Sequence, residues 1–277
     1  MRATDMHKRF RCFTRGETAF LRETCDLIVE SPLEIIINDA RRVLVMFSPH
    51  MTRELVCGFL FTEGLINHVS EIEDCVISVE EGSNGDRMIE ARVRISRGLP
   101  PVSDPGDRRV SYSSCGICGR DNYYGLSEGL RRVKSKSRFS MDVLTGIPDA
   151  LPQFQPLYEM TGGAHAAVLF DAGGGPVLHC EDMGRHNALD KVIGAALING
   201  ISCDDKILVT SGRASLEMIL KTVRAGCPAF VAMSRPTSRA VDAAKFYNVT
   251  LLDMAKESNR IYSHARRIIG FNPSESG

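Results

Sequence analysis

Ile207-Leu208-Val209-Thr210-Ser211-Gly212-Arg213-Ala214-Ser215-Leu216-Glu217-Met218-Ile219-Leu220-Lys221-Thr222-Val223 is the stretch on which the fold reading turns. A short apolar run, 207–210, gives way to a polar turn. Leu216, Ile219, Leu220 and Val223 then recur at the spacing of one helix face, and Gly226 stops the helix. The pattern repeats downstream: 230–233 is a second apolar run, a helix follows around 239–247, and 249–252 is a third run. Strands alternating with helices indicate a parallel sheet with helices packed on its faces. Runs without polar alternation suit strands buried on both sides. Just upstream, Leu189, Val192, Ile193, Ala196 and Leu197 share a face of a helix over 188–197. Residues 164–170 and 177–180 read as a hairpin around Asp171-Ala172-Gly173-Gly174-Gly175.

The N-terminal half has another rhythm. Residues 27–30, 33–38 and 43–47 are short β-prone runs broken by Ser31-Pro32 and Asn38-Asp39. Leu55, Val56, Phe59 and Leu60 mark an amphipathic helix over 52–65, with Gly64 near its end. Two more strands, 75–79 and 89–95, flank the turn-rich Gly82-Ser83-Asn84-Gly85-Asp86. The expected architecture is therefore a small α+β roll over 1–110 and an α/β domain over 141–277. Between them, 111–140 is expected to be a mobile loop and linker, entered through Gly98-Leu99-Pro100-Pro101 and Asp104-Pro105-Gly106-Asp107. The basic run Arg131-Arg132-Val133-Lys134-Ser135-Lys136-Ser137-Arg138 reads as a solvated face.

At 277 residues, with 43% hydrophobic side chains and 34 charges of each sign, the chain has material for two domains and no bulk field to attract nucleic acid or an acidic membrane. No signal peptide and no membrane span is apparent, so a soluble, cytoplasmic protein is expected. Nine cysteines at irregular spacing do not make a secreted disulfide framework. Cys57, Cys75, Cys180, Cys203 and Cys227 read as small buried apolar residues.

Cys115 and Cys118 differ. Ser113-Ser114-Cys115-Gly116-Ile117-Cys118-Gly119 puts two thiols two residues apart among glycines and serines, within reach of each other or of one metal. Three chemistries compete for such a pair. Structural zinc needs four ligands, of which the pair supplies two, with His179-Cys180 the nearest supplement. A zinc deaminase needs a His-x-Glu ahead of its Cys pair, whereas His165 is followed by Ala166-Ala167. A thioredoxin-like dithiol should open a helix after a strand, and the linker setting argues against that. A persulfide carrier needs a thiol accessible to a sulfur donor and then to an acceptor.

Ligands of open α/β sheets lie beyond the carboxyl ends of the strands. The junctions there are Glu181-Asp182-Met183-Gly184-Arg185-His186-Asn187, Thr210-Ser211-Gly212-Arg213-Ala214-Ser215 and Ser234-Arg235-Pro236-Thr237-Ser238-Arg239. Each Ser, Thr or Asn alone is an ordinary helix cap. Arginines at three helix N-termini on one edge suit a phosphate or pyrophosphate. Thr161-Gly162-Gly163-Ala164-His165 is a fourth candidate, and His165 with His186 makes a shared polar site conceivable.

Several of these segments carry a family resemblance. Glu30-Ser31-Pro32-Leu33-Glu34-Ile35, Gly58-Phe59-Leu60-Phe61-Thr62-Glu63-Gly64, Ser114-Cys115-Gly116-Ile117-Cys118-Gly119, Thr161-Gly162-Gly163-Ala164-His165-Ala166-Ala167, Ser211-Gly212-Arg213-Ala214-Ser215 and above all Glu181-Asp182-Met183-Gly184-Arg185-His186-Asn187-Ala188-Leu189-Asp190-Lys191 resemble the formate dehydrogenase accessory sulfurtransferase family, FdhD. The resemblance covers most of the chain. It implies a C-terminal three-layer α/β domain like cytidine deaminase without its zinc chemistry, and a homodimer. It also implies sulfur accepted from a cysteine desulfurase as a persulfide on Cys115, with Cys118 assisting. Delivery would be to the bis-molybdopterin guanine dinucleotide cofactor that formate dehydrogenase requires. The other reading is a zinc-binding or thiol-redox protein of the same fold. Under the resemblance, Arg185, His186, Ser211, Arg213, Ser234, Arg235 and His165 are expected to bind the cofactor, or GDP as its fragment. The family's Gly/Arg-containing segment after the last strand, which contributes to cofactor binding, corresponds here to Met254-Ala255-Lys256-Glu257-Ser258-Asn259-Arg260, which lacks glycine and is one residue shorter; under the resemblance Met254, Ala255, Lys256, Glu257, Ser258 and Asn259 are expected to bind the cofactor.

Overall fold

A computed structural model describes residues 6–81, 87–99, 109–111, 129–254 and 259–272. The CxxC pair at Cys115 and Cys118, and residues 255–258, lie outside them. The chain opens with a two-stranded ribbon, β1 (His7–Arg15) and β2 (Phe20–Ile28). Next come β3 (Ser31–Ile37), β4 (Arg41–Phe47), helix α1 (Thr52–Thr62), β5 (Ile72–Glu81), β6 (Arg87–Ile95) and β7 (Arg109–Ser111). These strands form a sheet in the order β5-β6-β3-β4-β7. Leu33, Ile35, Ile37, Val43, Val45 and Phe47 alternate onto the face that meets Leu55, Val56 and Leu60 of α1.

The roll is as expected, with two differences. The break expected at Ser31-Pro32 falls at Val29-Glu30, so 20–28 belongs to β2. The β1–β2 ribbon escaped the sequence reading because its side chains are mostly exposed on both faces, leaving no alternation to detect.

The C-terminal part comprises α2 (Met141–Ala150), α3 (Pro156–Thr161), β8 (His165–Phe170), β9 (Pro176–Asp182), α4 (Arg185–Ile198), β10 (Ile207–Arg213), α5 (Leu216–Arg224), β11 (Ala229–Ser234), α6 (Ser238–Tyr247), β12 (Thr250–Asp253) and β13 (Arg260–Ile261). Its sheet runs β13-β12-β11-β10-β8-β9. Both faces are covered. Leu208, Phe230 and Leu251 meet α4, α5 and α6, while Ile207, Val209, Val231 and Leu252 meet α2 and the turn that follows it. The sheet is mixed rather than parallel. β10, β11 and β12 run parallel, but β8 is antiparallel to β10, and β13 is antiparallel to β12. The hairpin is the physical reason on one side: Asp171 accepts from the Gly173 and Gly175 amides and folds β9 straight back along β8. No described helix is long and apolar enough to cross a membrane.

The two sheets share one hydrophobic core, joined where α1 crosses α4. A Cβ on Gly58 would stand 1.9 Å from the Asp190 carbonyl oxygen, and one on Gly194 would stand 1.9 Å from the Glu54 carbonyl oxygen. The helices therefore touch backbone to backbone, and only glycine fits at either position. Gly58→Ala and Gly194→Ala should each cost about 3 kcal/mol or more, because the helices must separate and unpack both halves. Gly146→Ala in α2, where a Cβ meets nothing within 4 Å, should instead stabilise by roughly 0.5–1 kcal/mol. Urea unfolding of the three variants checks the ranking; equal midpoints would contradict the close crossing.

Candidate functional site

The topology brings the expected residues to one sheet edge. The carboxyl ends of β9, β10, β11 and β12 point to it, and antiparallel β8 brings its first residue, His165, opposite Asp182. β10 does not end cleanly. A bulge between Thr210 and Arg213 breaks its ladder with β11 and places Arg213 opposite Ser234. Within the bulge, Ser211 Oγ accepts from the Ala166 amide at 2.9 Å and lies 3.5 Å from His165 Nδ1. Gly212 lies under Arg185: a Cβ there would be 3.1 Å from Arg185 Cδ. Burial, and then the Arg185 charge, hold His165 below its ordinary pKa despite Asp182. His165, Arg185, Ser211 and Gly212 are thus neighbours, with Arg213 and Arg235 exposed beside them and Ser234 half-buried.

The helix caps divide these junctions. Ser215 caps α5 by accepting from the Met218 amide, and Thr237 caps α6 by accepting from the Ala240 amide. Gly184 gives α4 no side-chain cap, so the first turn of that helix has the least satisfied N-terminus of the three. His186 turns inward, with Nε2 3.4 Å from Ser215 Oγ and 3.5 Å from Glu217 Oε2. Met254 is buried, and its amide extends the ladder to the Ala232 carbonyl. Asn259 is exposed in the left-handed region, φ 41°.

Sequence reasoning missed a pair at the same edge. Asp253 ends β12 fully buried and accepts from the Tyr262 hydroxyl at 2.5 Å. Burial and then this carboxylate raise the Tyr262 pKa, with Arg260 and Arg235 close enough to oppose the shift. The available signal was a lone acid closing the apolar run 249–252.

Most of the segment from Glu181 to Lys191 is occupied in holding the fold. Glu181 accepts from the Leu157 and Tyr158 amides and anchors α3. Lys191 Nζ, fully buried, donates to Asp182 Oδ2 at 2.6 Å, to the Ser48 carbonyl at 2.9 Å and to His50 Nδ1 at 3.2 Å. Asp182 also accepts from the amides of Ser48 and Gly184 and from Asn187 Nδ2, which reaches on to the Met46 carbonyl. One turn further, Asp190 accepts from Lys221 at 2.6 Å and from Thr62 at 2.8 Å. Burial pulls the Lys221 pKa down, but Asp190, Glu217 and Glu63 together raise it above the ordinary value. Burial, Glu63 and Asp190 push Glu217 to about 7 against the pull of Lys221.

Five of the described thiols are poor nucleophiles. Burial lifts Cys57 and Cys203 to about 11 and Cys180 to about 12, and raises Cys75 and Cys227 as well. Four of the five expected to be buried are so; Cys75 is half-buried. Cys180 donates to the Glu181 carbonyl at 3.2 Å and faces His50 Nε2, which uses up the thiol considered as a zinc supplement. The basic side chains of 131–138 are exposed around the buried anchor Val133, as a solvated face requires.

Comparison with known proteins gives this geometry its context. The model of the FdhD/NarQ family matches residues 28–269. The chain belongs to this family. Among curated FdhD/NarQ relatives, the sulfur carrier protein FdhD of Mycolicibacterium paratuberculosis is 38% identical, over 94% of this chain and 97% of its own. The protein of the same name from Thermoplasma acidophilum is 37% identical, over 90% of this chain and 89% of its own. A solved structure, a candidate formate dehydrogenase accessory protein from Desulfotalea psychrophila, shares the fold with a TM-score of 0.75. It covers 95% of this chain and 100% of its own at 21% identity.

The Lys191 network yields a pH prediction. Lys191 can only donate, so His50 Nδ1 must accept and the imidazole is neutral. Burial first, then Lys191, lower its pKa from 6.5 to about 4. A histidine whose folded pKa is depressed supports the fold above its unfolded pKa and loses that support as the pH falls. Stability should therefore decline between pH 6.5 and pH 4, and His50→Gln should flatten that decline. Urea midpoints of both proteins across this window decide it; parallel curves would remove His50 from the account.

Proposed function

We propose that this protein carries sulfur to the molybdenum cofactor of formate dehydrogenase. The observation that carries the proposal is kinship across nine-tenths of the chain with relatives named as sulfur carriers. A cysteine desulfurase supplies the sulfur as a persulfide. The Cys115 thiolate attacks the terminal sulfur and the desulfurase thiolate leaves, so no electrons are gained or lost. Cys118 assists. The thiols at Cys57, Cys75, Cys180, Cys203 and Cys227 are all raised by burial, so none of these five competes with the glycine-flanked pair. The acceptor, bis-molybdopterin guanine dinucleotide, is a substrate delivered onward rather than a resident group. Its dinucleotide arm, for which GDP is a fragment, suits the edge of the six-stranded sheet. There the helix N-termini, Arg185, Arg213 and Arg235, with His165, Ser211 and Ser234, offer donors to phosphate, while the inward-turned His186 supports the site from behind through Ser215 and Glu217. The same site is proposed to include Met254, Ala255, Lys256, Glu257, Ser258 and Asn259, whose lysine adds a donor for phosphate. The working form is a homodimer in the cytoplasm, where thiols stay reduced.

Incubation with desulfurase and cysteine, followed by mass spectrometry, should show one extra sulfur on the Cys115 peptide and none in Cys115→Ala. Equal loading of the variant would contradict the assignment. Calorimetry should show GDP binding, weakened about tenfold or more by Arg213→Ala through loss of a charge-assisted bond. Unchanged affinity would take Arg213 out of the site.

A further inference from the structure

Two edge strands stand out because they leave large apolar side chains exposed. In β5, every residue from Glu73 to Glu80 except Cys75 is exposed, including Val76 at 53%, Ile77 at 37% and Val79 at 53%. In β1, Phe10 is 44% and Phe13 67% exposed, and β2 adds Phe20 at 74% and Leu21 at 57%. β5 ends the five-stranded sheet, and β1 pairs only with β2, so among the described residues each has one edge with no strand on it. Exposed apolar edges of this kind are templates for another strand.

Their charges match. β1 carries Lys8, Arg9, Arg11 and Arg15 and no acid; β5 carries Glu73, Asp74, Glu80 and Glu81 and no base. Part of this charge is already engaged. Arg9 pairs with Asp26 at 2.9 Å, and Arg94 lies 3.5 Å from Glu73 and 3.8 Å from Asp74. Arg11 and Arg15 on one strand and Glu80 on the other are exposed. Nine residues of β1 facing ten of β5 make strands whose reach differs by one residue.

We infer that β1 of one copy adds to the free edge of β5 in a second copy of this chain, with basic and acidic side chains and exposed Phe and Val residues meeting across the new ladder. The inference rests on the pairing of copies included in the proposed function. Charge-reversed variants that keep the wild-type mass would sink this contact alone, a single-chain wild type would sink the pairing of copies as well, and neither result touches sulfur loading.

Three proteins decide it by light scattering at micromolar concentration: wild type, Arg11→Glu/Arg15→Glu, and Asp74→Lys/Glu80→Lys. Each variant alone sets like charge against like and should run at the single-chain mass, while wild type runs at twice that mass or more. Mixing the two variants makes both contacts opposite in sign again and should restore the larger mass. A single-chain wild type, variants that keep the wild-type mass, or a mixture that stays dissociated would each overturn the proposal. Salt gives a check without substitutions: the wild-type mass should fall as ionic strength rises, and a mass that does not move overturns the charge-matched contact.

Discussion

The backbone contact between α1 and α4 is the constraint on which the rest of the molecule depends. Helices that touch through Gly58 and Gly194 leave no room for adjustment. The crossing fixes the distance and angle between a five-stranded sheet and a six-stranded sheet whose chain segments are far apart in sequence. Apolar packing on both sides of the crossing makes one core of two halves. Close approach also brings polar groups of one half within bonding distance of charges on the other. Lys191 reaches the Ser48 carbonyl, and Thr62 reaches Asp190. A buried lysine without such partners would be very costly, so the polar bonds depend on the glycines as much as they reinforce them.

This arrangement explains why so distinctive a segment as Glu181 to Lys191 sits beside the candidate site. Its first half, Glu181 and Asp182, ends β9 and ties it to α3 and to the N-terminal roll. Its second half, Asp190 and Lys191, fastens α4 to both halves, to Lys221 and Asp182 on one side and to Thr62 and Ser48 on the other. Between them, Arg185 is presented on the N-terminus of a helix that both networks hold rigid. Rigid support of that kind lets a few side chains on a sheet edge keep a fixed geometry for an anionic ligand.

Much of the fold was legible because its elements carry strong periodicity. The strands at 207–210, 230–233 and 249–252 are buried on both faces, and their helices show clean apolar stripes. The junction residues were legible for a related reason: alternating strands and helices determine which loops share an edge. What could not be read lies where period and burial part company. The β1–β2 ribbon is mostly exposed, and Asp253 and Tyr262 meet only because β13 folds back along β12. The segment 181–191 reads as a binding motif, since carboxylates, arginine, histidine and lysine at a strand–helix junction suit a ligand. Only the positions of Ser48, Thr62 and Leu157 reveal that most of its charges face inward.

Two sheets, distant in sequence, open as a single unit because one helix crossing joins them. Native-state hydrogen exchange against denaturant tests it most directly. Core amides of β3, β4 and β6 should share one opening free energy with those of β10, β11 and β12, and both sets should merge onto the global unfolding line. A five-stranded sheet that exchanges through its own, lower-energy opening while the six-stranded sheet stays protected would contradict it.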